Sequence, residues 1–234
     1  ILLDYIRKTR IQMQKKQVMR MNRWELLQHT LLMLSFLALV VTGFALRFSD
    51  SWWAELLFGR TGGYPLRNLI HRVSAVVLVL TSLMHVVYLR GKRGQQFIKD
   101  IFPSFSDLRQ FKQMIFFNLG FTKERPLFDR FTFVEKFEYW ALIWGVLIMS
   151  VTGLMLWFDN FFVSFLPKGV LDVALIIHYF EAWLATLSIL IWHLYSAVFN
   201  PDVYPMNPSW ITGKMPWDQY QHEHPNDKDQ IDVE

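Results

Sequence analysis

The 234-residue chain contains no cysteine. That absence excludes disulfides, cysteine-ligated iron-sulfur clusters and prosthetic groups attached through a CxxCH motif. Charge is also sparse, with Asp, Glu, Lys and Arg at 19% of residues, below the roughly one quarter usual in soluble domains. No Gly-rich nucleotide-binding motif occurs. The net charge of +4 is distributed by topology rather than gathered into a nucleic-acid patch, so no nucleic-acid partner is expected. No signal-peptide pattern is found near the start, because the first apolar run is long enough to stay in a membrane. The chain begins with Ile1 rather than methionine, which predicts a processed or incomplete start.

What the sequence has in excess is apolar residues, 53% hydrophobic and 17% aromatic. Charge-free runs at 26–46, 73–89, 139–158 and 182–201 each approach the roughly 20 residues that cross a hydrocarbon core about 30 Å thick. The expected fold is an all-α integral membrane protein, a four-transmembrane-helix bundle with spans at about 24–47, 71–90, 137–158 and 172–199. A basic segment, 1–23, precedes this 24–200 domain, and a tail, 201–234, follows it. Seven Lys or Arg precede the first span and ten lie in 90–136, whereas the loop between spans three and four holds only Lys168. Lys and Arg are retained on the cytoplasmic side, so both termini are expected there. The tail prolines, Pro201, Pro205 and Pro208, stop the last helix.

An internal repeat organises the spans. The first ends "LVVTGFALRFSDSWWAELL" and the third "IMSVTGLMLWFDNFFVSFL", and each is followed by a helix opening "LIH" or "IIH". Spans one and two therefore read as a copy of spans three and four, placing His71 opposite His178 and His85 opposite His193. Spacings of fourteen and fifteen residues separate the imidazoles of each helix by roughly 21 to 22 Å and return them to one face. A lone intramembrane histidine often does no more than hydrogen-bond a neighbouring backbone; ionisable residues at matched depths on two helices point to function. Bis-histidine haem is the economical explanation, since a flat apolar macrocycle fills a bundle interior while two neutral imidazoles ligate its iron. Zinc or copper would need three or four clustered ligands. His29, on span one, is level with His85 and His193, so three imidazoles share one depth.

The segments "LLQHTLLMLSFLALVVTGFAL", "NLIHRVSAV", "EKFEYWALIWGVLIMSVTGLMLWF" and "IIHYFEAWLATLSILIWHLYSAVF" together resemble the di-haem cytochrome b subunit of formate dehydrogenases and nickel-iron hydrogenases. The resemblance covers roughly residues 20 to 200. It implies two non-covalent b haems and electron transfer between a periplasmic redox partner and the quinone pool. The outer haem would take His71 and His178, and the inner haem His29 and His193. The family does not generally need His85, whereas the repeat symmetry pairs His85 with His193; the family position is preferred, with His85 left as a propionate, quinone or proton partner. A third haem would need a ligand from Tyr, Met or the tail histidines, and His222 and His224 are read as solvated. The "HLYSAVFNPDVYPMNPSW" ending resembles a branch that accompanies multihaem c-type cytochromes or iron-sulfur subunits.

A quinone exchanges protons as well as electrons, so its site needs a proton-carrying group. Thr132, Glu135 and Glu138 at the start of span three fall on the segment where the family contacts quinone; helix-start solvation competes as an explanation. Arg72 beside His71 suits a haem propionate or an interface arginine. Glu181 suits a propionate, an outside arginine or a channel. The "SWWAELLF" and "FFVSFL" segments read as interface anchors or a docking floor for a periplasmic subunit. Segment 95–130 reads as a surface-lying amphipathic helix in contact with lipid. The expectation is thus an electron-transfer subunit of a multi-subunit oxidoreductase complex in a bacterial or archaeal cytoplasmic membrane, not a stand-alone enzyme. The alternatives are a transmembrane metal reductase, for which a soluble-donor motif is missing, and a haem-free transporter or anchor, which broken mid-membrane helices would favour.

Overall fold

A computed structural model describes residues 2–59, 63–200 and 203–227. The chain runs α1 (Leu2–Gln14), β1 (Gln17–Met19), α2 (Arg23–Arg47), α3 (Trp52–Phe58), α4 (Tyr64–Tyr88), α5 (Lys92–Ile101), α6 (Phe105–Asn118), α7 (Phe133–Trp157), α8 (Asp159–Val163) and α9 (Lys168–Leu187). Helix α9 continues through π-helical turns at Ser188–His193 and Tyr195–Phe199, and α10 (Ser209–Thr212), β2 (Lys214–Pro216) and α11 (Trp217–Glu223) follow. Among the described residues four helices are long and apolar enough to cross a membrane: Arg23–Arg47, Tyr64–Tyr88, Phe133–Trp157 and Lys168–Phe199. The second starts seven residues before its expected boundary at 71. The charged Arg67 did not end the helix there, because its guanidinium is buried and bonded to the carbonyl of Thr42.

The chain divides into two compact units: a central one, Leu27–Tyr88 with Trp144–Ser188, and a terminal one, Ile1–Leu26, Leu89–Ile143 and Ile189–Glu234. In the central unit the usual arrangement of a soluble bundle is reversed. Ser35, Thr42, Ser74, Thr81, Thr152 and Thr186 are buried, while Leu34, Leu80, Leu147, Leu154 and Leu184 are exposed. Lipid solvates leucine, so association in a membrane relies on small residues that let helices approach. The buried threonine hydroxyls are satisfied within their own helices: Thr42 donates to Ala38 O at 2.6 Å, Thr81 to Val77 O at 2.8 Å, and Thr152 to Ile148 O and Thr186 to Ala182 O at 2.7 Å. Short helices α3 and α8 carry the aromatic segments that follow the two Val-Thr-Gly motifs, with Trp52 and Phe161 exposed.

The terminal unit holds the polar framework. Strands β1 and β2 pair antiparallel, with Val18 opposite Met215, over a core of Val18, Met215 and Tyr220. Helix α2 is preceded by a reciprocal cap in which Glu25 accepts the Asn22 N–H at 2.6 Å and Asn22 accepts that of Glu25 at 2.9 Å. Helix α7 has the same device: Thr132 N–H donates to Glu135 at 2.8 Å and Glu135 N–H to Thr132 Oγ1 at 3.2 Å. Each pair satisfies backbone donors that a helix start leaves open. An arginine then locks each cap, Arg93 on Glu25 at 2.9 Å and Arg20 on Glu135 at 3.0 Å. Segment 95–130 forms two helices rather than one, because Pro103 separates α5 from α6. Arg130–Asp100 closes the segment on itself and Lys136–Asp107 ties it to α7, at 2.9 Å each.

Candidate functional site

In the central unit each Val-Thr-Gly motif lies against a histidine. Thr42 Oγ1 is 2.8 Å from His71 Nδ1, and Thr152 Oγ1 is 2.9 Å from His178 Nδ1. A hydroxyl has one hydrogen, and each threonine gives it to its own helix. Each must therefore accept the imidazole Nδ1–H, which leaves the lone pair on Nε2. That tautomer is the one a metal ligand needs when its other ring nitrogen is fixed by an outer partner. The glycines give the rings room: a Cβ at Gly43 would stand 3.6 Å from His71 Cε1, and one at Gly153 would stand 3.3 Å from His178 Cε1. His71 also lies within electrostatic reach of His178.

His85 and His193 each have their own acceptor. In the central unit His85 Nδ1 lies 2.8 Å from Gln28 Oε1, with its ring stacked on Tyr88. In the terminal unit His193 Nδ1 lies 2.9 Å from Glu138 Oε2. An amide or carboxylate oxygen only accepts, so each Nδ1 carries its hydrogen, and in the neutral ring the lone pair is on Nε2. Gln28 and Glu138 stand 110 positions apart, as do Glu25 and Glu135, Thr42 and Thr152, and Gly43 and Gly153. The repeat thus extends from cap to imidazole partner. His85 and His193 are 108 apart whereas His71 and His178 are 107 apart. The extra residue falls where α9 turns π-helical, at Ser188–His193, and an i→i+5 turn absorbs one residue more than an α turn. His29, half-buried, is the neighbour of Gln28 in the central unit.

Thr132 and Glu135 are engaged in the α7 cap and the Arg20 ion pair. Glu138 keeps its second oxygen, Oε1, buried without a hydrogen bond among the described residues. Arg72 is exposed, with its guanidinium 5.1 Å from the centre of the Trp157 ring. Glu181 Oε1 lies 3.0 Å from where a Cβ on Gly145 would be, so its carboxylate rests against α7. His222 is exposed as expected, but His224 is not solvated: it is 3% exposed and donates Nδ1–H to Asp129 O at 2.7 Å. Burial holds its imidazole below the ordinary histidine range. Among the described residues no three His, Asp or Glu cluster to hold a bare metal ion.

Thr42, Thr152, Gln28 and the buried Arg67 were not singled out from sequence. The Val-Thr-Gly repeat carried the signal for the threonines, and the 110-residue offset carried it for Gln28. Arg67 gave none, since a basic residue near a span end ordinarily marks the interface.

The donor set fits b-type haem: apolar surroundings, imidazoles with a fixed Nδ1–H, and glycines where a ring must approach closely. Residues 20–205 match the family model for prokaryotic cytochrome b561. The cytochrome b556 subunit of formate dehydrogenase from Haemophilus influenzae is 23% identical over 190 residues, which cover 80% of this chain and 73% of that protein. With four spans and histidines on three of them, the chain belongs to the prokaryotic cytochrome b561 family of membrane electron-transfer cytochromes.

Proposed function

We propose that the chain is a di-haem b subunit that carries electrons between a redox partner subunit on the periplasmic side and quinone at the opposite side. The duplicated threonine-imidazole pair carries the reading, because two copies of one metal-ready tautomer argue against a merely structural histidine. When bound, haem b supplies a one-electron Fe(III)/Fe(II) couple with two imidazole ligands. His71 and His178 hold the outer group, with Thr42 and Thr152 fixing the rings. His193, backed by Glu138, is one ligand of the inner group, and His29 is the second, as the family resemblance implies. A second reading has His85 in that role; the Gln28–His85 bond, the repeat counterpart of Glu138–His193, favours it.

For quinone, Glu138 leads Thr132 and Glu135. Its Oε1 has no hydrogen bond among the described residues and so has capacity for a hydroxyl or a proton, whereas the other two are engaged in the helix cap. The excess of Lys and Arg at the chain's start and in 90–136 supports cytoplasmic termini in a bacterial or archaeal inner membrane. The formate dehydrogenase relative supports work within a multi-subunit complex, with an iron-sulfur or multihaem c-type subunit as donor or acceptor. Substrate chemistry then belongs to that partner.

The test is a haem b count per polypeptide by the pyridine haemochrome spectrum. Two haems in the unaltered protein, and one in H71A, H178A and H193A, are expected. Loss in H29A but not H85A supports the family ligation, and the reverse supports the symmetric pair. Two haems retained in both H71A and H178A would sink the outer-pair assignment.

A further inference from the structure

Arg67 is a buried cation without a carboxylate partner among the described residues. It lies on α4 one turn before His71 and is 5% exposed. Its Nη1 donates to Thr42 O at 3.1 Å and its Nη2 to Asn68 Oδ1, while its Nε is buried without a hydrogen bond. Among the described residues no carboxylate pairs with it. Both hydrogen-bond partners are neutral. A buried charge left uncompensated is strongly destabilising, and guanidinium desolvation is tolerated mainly where an anion completes the site.

We propose that Arg67 anchors a propionate carboxylate of the haem held by His71 and His178, an inference that rests on the ligation proposed above. The cation is fixed relative to the ligand in two ways. It shares a helix with His71, and it grips the carbonyl of Thr42, the residue whose hydroxyl holds the His71 imidazole. The open Nε edge belongs to a planar fork of donors that matches carboxylate geometry. A lipid phosphate is the other anion available in a membrane, but a side chain this buried does not face lipid. Arg72 is the arginine that faces outward, against Trp157, and suits the interface instead.

The experiment is a spectroelectrochemical titration of the full chain carrying R67M or R67K, with haem counted in the same samples. Removing the cation leaves the propionate charge uncompensated near the iron and favours Fe(III). One haem of R67M should therefore shift negative by about 59 mV, a tenfold change in its reduced-to-oxidised ratio, with the other haem unmoved. R67K, which keeps the charge but not the fork, should shift less. Two retained haems with both potentials unchanged in R67M would overturn the assignment. If R67M does not accumulate, R67K and the unaltered chain are compared after reconstitution with haem dimethyl ester, which has no propionate charge. Their difference should vanish with the ester, and its persistence overturns the proposal. Failure of the underlying ligation would show separately, as two haems retained in H71A and H178A.

Discussion

Glu138 Oε2 accepts the Nδ1–H of His193 at 2.9 Å, where the repeat-equivalent residue, Gln28, offers His85 a neutral amide. A carboxylate behind an imidazole makes it a stronger donor to a metal and stabilises the oxidised state. We expect E138Q to retain two haems and to move one midpoint potential positive by about 59 mV, a tenfold shift in the redox ratio. Redox titration checks this, and unmoved potentials would show that the carboxylate does not act through His193.

Replacing Thr42 or Thr152 by valine leaves an imidazole Nδ1–H without its acceptor in a buried setting. The cost of an unmet buried donor is about 1 to 3 kcal/mol, and loss of an outer-shell partner lowers metal affinity about 10- to 100-fold. T42V and T152V should each weaken haem retention on dilution in detergent, whereas T42S should restore it. Equal retention in all three would mean that the hydroxyls do no more than cap their own helices.

The two motif glycines should respond differently to alanine. A Cβ at Gly153 would crowd His178 Cε1 at 3.3 Å, but one at Gly43 would meet His71 at an ordinary 3.6 Å. Alanine also gains roughly 1 kcal/mol of helix propensity over glycine. G43A is expected to keep two haems with unchanged or higher thermal stability, and G153A to lose occupancy at one site. Haem per polypeptide and the melting temperature of both variants decide the matter.

His224 links the tail to pH. Burial depresses its pKa, so the unfolded tail binds the proton more readily than the folded one. Its contribution to stability is complete above the unfolded value of about 6.5 and is lost as pH falls below that, towards the folded value. Glu223 acts oppositely, because burial raises its carboxyl and folding is then favoured on the acid side. Comparing H224Q with the unaltered chain isolates the histidine. The protection of α11 against hydrogen exchange, relative to the intrinsic rate at each pH, should fall between about pH 6.5 and 5 in the unaltered chain and change less in H224Q.

Much of this was legible in the residues because membrane physics acts locally. Four apolar runs specify a four-span helical bundle without long-range information, and histidines at fourteen- and fifteen-residue spacing mark its candidate ligands. Boundaries were less legible. The second span was read from its charge-free run and so missed the turns that carry Arg67, whose charge is accommodated by a carbonyl on another helix.

What the sequence by itself determined is the class of the protein: span number, the repeat, and the residue types able to ligate iron. Hydropathy, charge and helical period are properties of consecutive residues, so they survive without a fold. Only the tertiary structure decided how each imidazole is used. It set Thr42 on His71, Thr152 on His178, Gln28 on His85 and Glu138 on His193, and it buried Arg67 and His224. Those are contacts between residues 25 to 95 positions apart. A hydrogen bond fixes a tautomer only when helix packing brings its two partners within about 3 Å.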